Sequence, residues 1–178
     1  PNRFIAKLDA NGTWQWALSM GGNSGTLSMS HFDVVGNQAQ FLVNADAGSS
    51  TTKWLNVGSD NYSLERNSNW VAGIVDVYSG TYSWSANLSS SFNALAGSFP
   101  NLGGGDSEYP MIDSSGNMYL FALFERDLYY RNTLLHTNPN ANERDAAVIK
   151  IDSSGNVSWS RQLNASTYST YTEANSYI

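Results

Sequence analysis

Residues Phe4–Met20 read FIAKLDANGTWQWALSM, and the same design returns twice. VAGIVDVYSGTYSWSANL begins at Val71 and AAVIKIDSSGNVSWSRQL at Ala146. Each time an apolar run ends in aspartate, a glycine follows three or four residues on, and a tryptophan follows that glycine by four. Gly12, Gly80 and Gly155 stand 68 and 75 residues apart, and Trp16, Trp84 and Trp159 keep the same intervals. Self-similarity at a spacing of this order marks a repeated supersecondary unit.

The run before each aspartate reads as one strand and the run after each glycine as the next. Asp9, Asp76 and Asp152 can fold their carboxylates onto backbone N–H groups of the reversal. The glycines supply a positive φ that a Cβ would penalise. The product is a β-hairpin with a tryptophan buried on its returning strand, provided the indole N–H finds a partner. A second hairpin follows in the first two units. HFDVVGNQAQFLV turns at Gly36-Asn37, and YPMIDSSGNMYLFAL turns at Gly116-Asn117. The interval from tryptophan to this glycine is 20 residues in the first unit and 32 in the second. The extra twelve fall in SSSFNALAGSFPNLGGGDSE, a Ser/Gly-rich loop.

Composition agrees with an all-β domain. The 178 residues are enough for one domain with a sizeable core. At 41% hydrophobic the chain is globular, and at 13% aromatic it favours strands. Charged residues are only 13%, about half the usual share, and Asn, Ser, Thr and Gly take their place. Only nine Lys and Arg against a net charge of −6 argue against nucleic acid as a partner. Without cysteine there is neither a disulfide nor a thiolate metal site. No apolar stretch approaches the ~18 residues of a membrane-spanning helix, and no signal peptide is legible. A start at Pro1 without Met suggests a processed chain or a fragment.

Strands such as FIA, AAVIKI and MYLFALF are apolar on both faces, which predicts sheets covered on both sides. Four-stranded units stacked about an axis are β-propeller blades. The expected architecture is therefore an all-β propeller segment of about two and a half four-stranded antiparallel blades, a partial ring or a fragment of a larger one. Blade one takes residues 1–69, blade two residues 70–145 with a long loop at 89–108, and the first half of blade three residues 146–178. A two-layer sandwich is the rival, but it gives no reason for whole units to recur. Propellers need about four blades or more to close. Two copies would offer the same first hairpin at both ends and so would not complete one another. A longer polypeptide, or an oligomer covering the open faces, is expected.

These hairpins resemble the exported bacterial and archaeal β-propeller repeats of the SBBP type. The matching stretches are FIAKLDANGTWQWALSMGG, MIDSSGNMYLFAL and VIKIDSSGNVSWSRQL. The resemblance covers about half of the chain and implies a fold, not a chemistry. The segment IVDVYSGTYSW also resembles the tryptophan-docking repeat of quinoprotein dehydrogenases, whose members hold a quinone and calcium on the axis of a full ring.

Each candidate site also has a plainer reading. The turn aspartates, twice in DSSGN at Asp113 and Asp152, invite calcium, but a calcium loop needs six or more oxygens and turn chemistry accounts for them. Paired acids occur at Asp106/Glu108, Glu125/Asp127 and Glu143/Asp145, the spacing at which strand residues share a face. Arg126 and Arg144 interrupt the last two pairs, leaving Asp106 and Glu108 as the metal or substrate candidates. His31 and His136 are 105 residues apart and form no catalytic motif. Trp54, Tyr62, Tyr129 and Tyr130 are the aromatics available to stack on sugars, with core packing as the plainer reading. Glycan acceptor sequons occur at Asn11, Asn61, Asn87, Asn156 and Asn164, no more often than chance predicts. The sequence thus points to a non-enzymatic extracellular or cell-surface segment: a structural protein, adhesin or filament component without a required cofactor, meeting proteins or further blades. A fragment of a propeller enzyme and a lectin-like glycan-binding module are the alternatives.

Overall fold

The computed structural model describes residues 2–23, 26–46, 53–64, 68–90, 111–139 and 145–163. Within them the chain forms strands and turns without a helix. The strands are β1 (Asn2–Leu8), β2 (Trp14–Gly22), β3 (Thr26–Val35), β4 (Gln38–Asp46), β5 (Trp54–Val57), β6 (Asp60–Ser63) and β7 (Ser68–Asp76). They continue with β8 (Tyr82–Ser90), β9 (Met111–Ile112), β10 (Met118–Phe124), β11 (Asp127–Tyr130), β12 (Thr133–Thr137), β13 (Asp145–Ile151) and β14 (Val157–Leu163). Each odd strand pairs antiparallel with the even strand that follows it.

The hairpins do not stay together along the chain. They sort into a first sheet, β1-β2-β5-β6, a middle sheet, β3-β4-β7-β8-β11-β12, and a third sheet, β9-β10-β13-β14. All three are antiparallel. The second hairpin of each sequence unit therefore leaves its own sheet and joins the next. The β3–β4 hairpin, from residues 1–69, pairs through β4 with β7 over nine residues, Gln38↔Asp76 to Asp46↔Ser68. The β9–β10 hairpin does the same with β13. The sequence predicts four-stranded sheets confined to units; the middle sheet instead has six strands drawn from two units.

Packing explains the exchange. Strand β4 is apolar on both faces: Ala39, Phe41, Val43 and Ala45 enter one core, and Leu42 the other. Among the described residues, only the middle sheet has cover on both sides. One core joins Ile5, Leu18, Met20, Leu55 and Val57 of the first sheet to β3, β4 and β7. The other joins Trp84, Ala86, Leu88 and Leu128 of the middle sheet to Met118, Leu120, Ile149 and Ile151 of the third. Strand β7 serves both, sending Val71 and Val75 to the first core and Trp70, Ala72 and Ile74 to the second. Gly73 interrupts this strand because a Cβ there would lie 2.7 Å from Phe41 Cε1.

The aspartate reversals form as the sequence predicts. Asp9 Oδ1 accepts from the N–H groups of Asn11 and Thr13, both at 2.9 Å, and Gly12 has φ +81°. Asp152 Oδ1 accepts from Ser154 and Asn156, and Gly155 has φ +82°. Asp113 repeats the device with Ser115 and Asn117. The Asp76 turn is one residue longer and uses Tyr78 and Ser79.

The first two returning tryptophans face the sheet ahead. Trp16 donates its Nε1–H to the Val77 carbonyl at 3.0 Å and lies against Gly80, the turn glycine of the next unit. Trp84 is 4% exposed and lies against Gly155 in the same way. Its Nε1 is buried without a hydrogen-bond partner, so of these two repeat indoles Trp16 meets the expected partner and Trp84 does not. Trp159 ends the described series. It is 38% exposed and meets the Tyr119 ring edge-on at 6.3 Å, so the third indole is not buried as its repeat predicts.

Candidate functional site

Among the described residues, the densest convergence of polar side chains lies between the first and middle sheets. The β5–β6 hairpin carries Ser59, Asp60 and Tyr62, and β8 of the middle sheet carries Tyr82 and Ser85. Asp60 and Tyr62 share a face because they stand two apart on a strand. Ser85 Oγ donates to Asp60 Oδ2 at 2.8 Å, and Tyr82 Oη donates to Asp60 Oδ1 at 3.0 Å. Tyr62 Oη lies 2.5 Å from Ser85 Oγ and 3.2 Å from Asp60 Oδ2, and Ser59 Oγ is bonded to Tyr82 Oη. Arg131, in the β11–β12 turn, reaches the Ser85 carbonyl through Nη2 at 3.4 Å.

Burial pushes the Tyr62 phenol well above its ordinary value, and the nearby Asp60 charge adds to the rise. It is therefore a neutral donor throughout the physiological range. Both Asp60 oxygens already accept hydrogen bonds from hydroxyls of the protein itself. The group chemically resembles a polar clasp between two sheets: carboxylate, hydroxyls and phenols satisfy one another rather than a third party.

Other candidates disperse. Trp54 opens β5, is 40% exposed, and donates its backbone N–H to Asn23 Oδ1. Tyr129 and Tyr130 are neighbours on β11 and point to opposite faces. Tyr129 is half-buried, its hydroxyl 3.3 Å from Asp127 Oδ2. Tyr130 lies in the core and donates to the Gly155 carbonyl at 2.7 Å, so its ring is not presented to a sugar. His31 is on β3 and His136 on β12, the two opposite edges of the middle sheet, so they do not converge. Burial lowers both imidazoles below their ordinary value. Asp106, Glu108, Glu143 and Asn164 lie outside the described residues.

Among the described residues no group of three His, Asp or Glu side chains is placed to hold a metal ion. Asp113 and Asp152 direct Oδ1 at the backbone of their own turns. Asn11, Asn61 and Asn156 are exposed at turns or a strand edge. Asn87 is 4% exposed in the centre of β8, and a glycan cannot be carried there in the folded chain. No helix among the described residues is long and apolar enough to cross a membrane.

The sequence does not announce the polar clasp. Tyr82 and Ser85 are more than twenty residues from Asp60, on another sheet, and no spacing links them. No family model, curated protein or solved structure matches the chain.

Proposed function

We propose that this chain is a non-enzymatic scaffold segment of an extracellular or cell-surface β-propeller of the SBBP-like kind, whose stacked sheets serve as blades. The observation that carries the reading is the exchange of hairpins. Each second hairpin completes the neighbouring sheet, so each sequence unit is built into two successive sheets, which also pack through apolar faces. Such a build suits rigid display rather than a hinged catalytic cleft. The clasp at Asp60 supports it, since its polar groups tie sheets together. The low-charge, Asn/Ser/Thr-rich composition supports an exported setting.

The experiment is protease shaving of intact source cells followed by detection of the released chain. Release without lysis is expected. Retention of the whole pool in the cytosol overturns the location, and turnover of a glycoside or quinone-linked substrate by the purified protein overturns the scaffold role.

A further inference from the structure

We infer that copies of this chain stack head to tail, the Asp9–Gly12 reversal of one copy seated on the Trp159 indole of the next. The contact exists twice already within a single chain. A Cβ on Gly80 would stand 2.6 Å from Trp16 Cδ2, and a Cβ on Gly155 would stand 2.7 Å from Trp84 Cγ. Only glycine permits this approach. Two and four residues beyond each indole, Leu18 and Met20, then Ala86 and Leu88, are buried in the same interface.

At the third sheet the acceptor half recurs without its donor. Trp159, Arg161 and Leu163 occupy the equivalent positions of β14, and Leu163 is 50% exposed. No described reversal covers the indole. At the first sheet the donor half recurs without its acceptor. Nothing lies within 4 Å of a Cβ placed on Gly12, although its φ and hydrogen bonds match those of Gly155. On that face Phe4 is 63% exposed and Leu8 47%, while their β7 counterparts Val71 and Val75 are fully buried.

The two ends therefore carry complementary halves of an interface that the chain itself builds twice. A second copy is the occupant with the right chemistry at both ends. Because the halves are different surfaces, the contact is heterologous and extends into a ring or a filament. The strand content of the units, which predicts that two copies do not complete one another, is no obstacle. Stacking joins sheet faces and needs no missing hairpin. The inference deepens the scaffold reading and is tested apart from it, since loss of stacking would leave surface location and the absence of turnover untouched.

The test is sedimentation of the purified chain over a concentration series, with three variants. Gly12→Asn suits the free turn, because asparagine tolerates positive φ, but places a Cβ where the partner's indole must sit. Trp159→Ala removes the indole from an exposed site. Gly36→Asn makes the same change at a turn with open space around it and positive φ, away from the interface. Wild type and Gly36→Asn are expected to associate alike, and the other two to associate at least about tenfold more weakly, as for loss of an interface aromatic. A wild type that stays monomeric throughout, or a Gly12→Asn variant that associates like wild type, overturns the inference.

Discussion

Gly12→Ala and Gly155→Ala place the same methyl group in the same kind of turn, and their costs should nevertheless differ by a factor of two or more. The φ values are +81° and +82°, so the left-handed backbone penalty is common to both. That penalty, about 1–2 kcal/mol, is partly offset by the lower entropy of the unfolded alanine chain, about 0.4–1 kcal/mol. Gly12→Ala should therefore cost about 1 kcal/mol. The new methyl at Gly155 also meets Trp84 Cγ at 2.7 Å and Cδ2 at 2.8 Å. The indole is held between two sheets and is 4% exposed, so it cannot swing aside. Overpacking of this kind adds about 1–3 kcal/mol. Urea unfolding at low protein concentration, where copies do not meet, reads the difference directly. With a slope of about 2 kcal/mol per molar, an extra 2 kcal/mol separates the two midpoints by roughly 1 M. Equal midpoints would show that Trp84 is not clamped by the following turn, and the account of sheet stacking would fall with it.

Two further outcomes are expected. Asp60→Ala should destabilise by about 1–3 kcal/mol, because the Ser85 and Tyr82 hydroxyls lose their acceptor. Paired with Tyr62→Phe in a double-mutant cycle read by urea unfolding, the effects should be non-additive; strict additivity would disprove the shared network. Acid should lower the stability of the protein through its turns. Ser79 N–H holds Asp76, and Asn156 N–H holds Asp152, below the ordinary carboxylate value, while the Asn117 side-chain amide brings Asp113 down to about 2. Depressed carboxylates stabilise the fold above their unfolded value of 3.8, and that stability is lost as pH falls through the folded values. A urea midpoint that stays flat from about pH 5 to about pH 2.5 would contradict this.

The turns were legible because their chemistry is local. An aspartate reaches N–H groups two to four residues away, so a short window of sequence contains every atom involved. Which sheet a hairpin joins is not local. HFDVVGNQAQFLV announces its hairpin at Gly36-Asn37, but the choice between the first sheet and the middle one rests on cover for both faces of Phe41 and Leu42. That cover comes from strands far off in sequence. The β11–β12 hairpin was hidden for another reason. Its reversal runs through Arg131 and Asn132, with φ +47° and +62°, where the sequence offers no glycine. The exposed state of Trp159 was harder to see, since it shares SG-x-x-SWS with Trp84, and the nearest difference on its face is Arg161, where the first two units carry the buried Leu18 and Ala86.

The threading of β3–β4 into the middle sheet also bears on how the protein would carry a mechanical load. Were the sheets joined by side chains alone, tension would peel them apart contact by contact. Here the hairpins of residues 1–69 can part from the middle sheet only if β4 also leaves β7, a nine-residue ladder, so the joint should hold like a rivet rather than open like a zip.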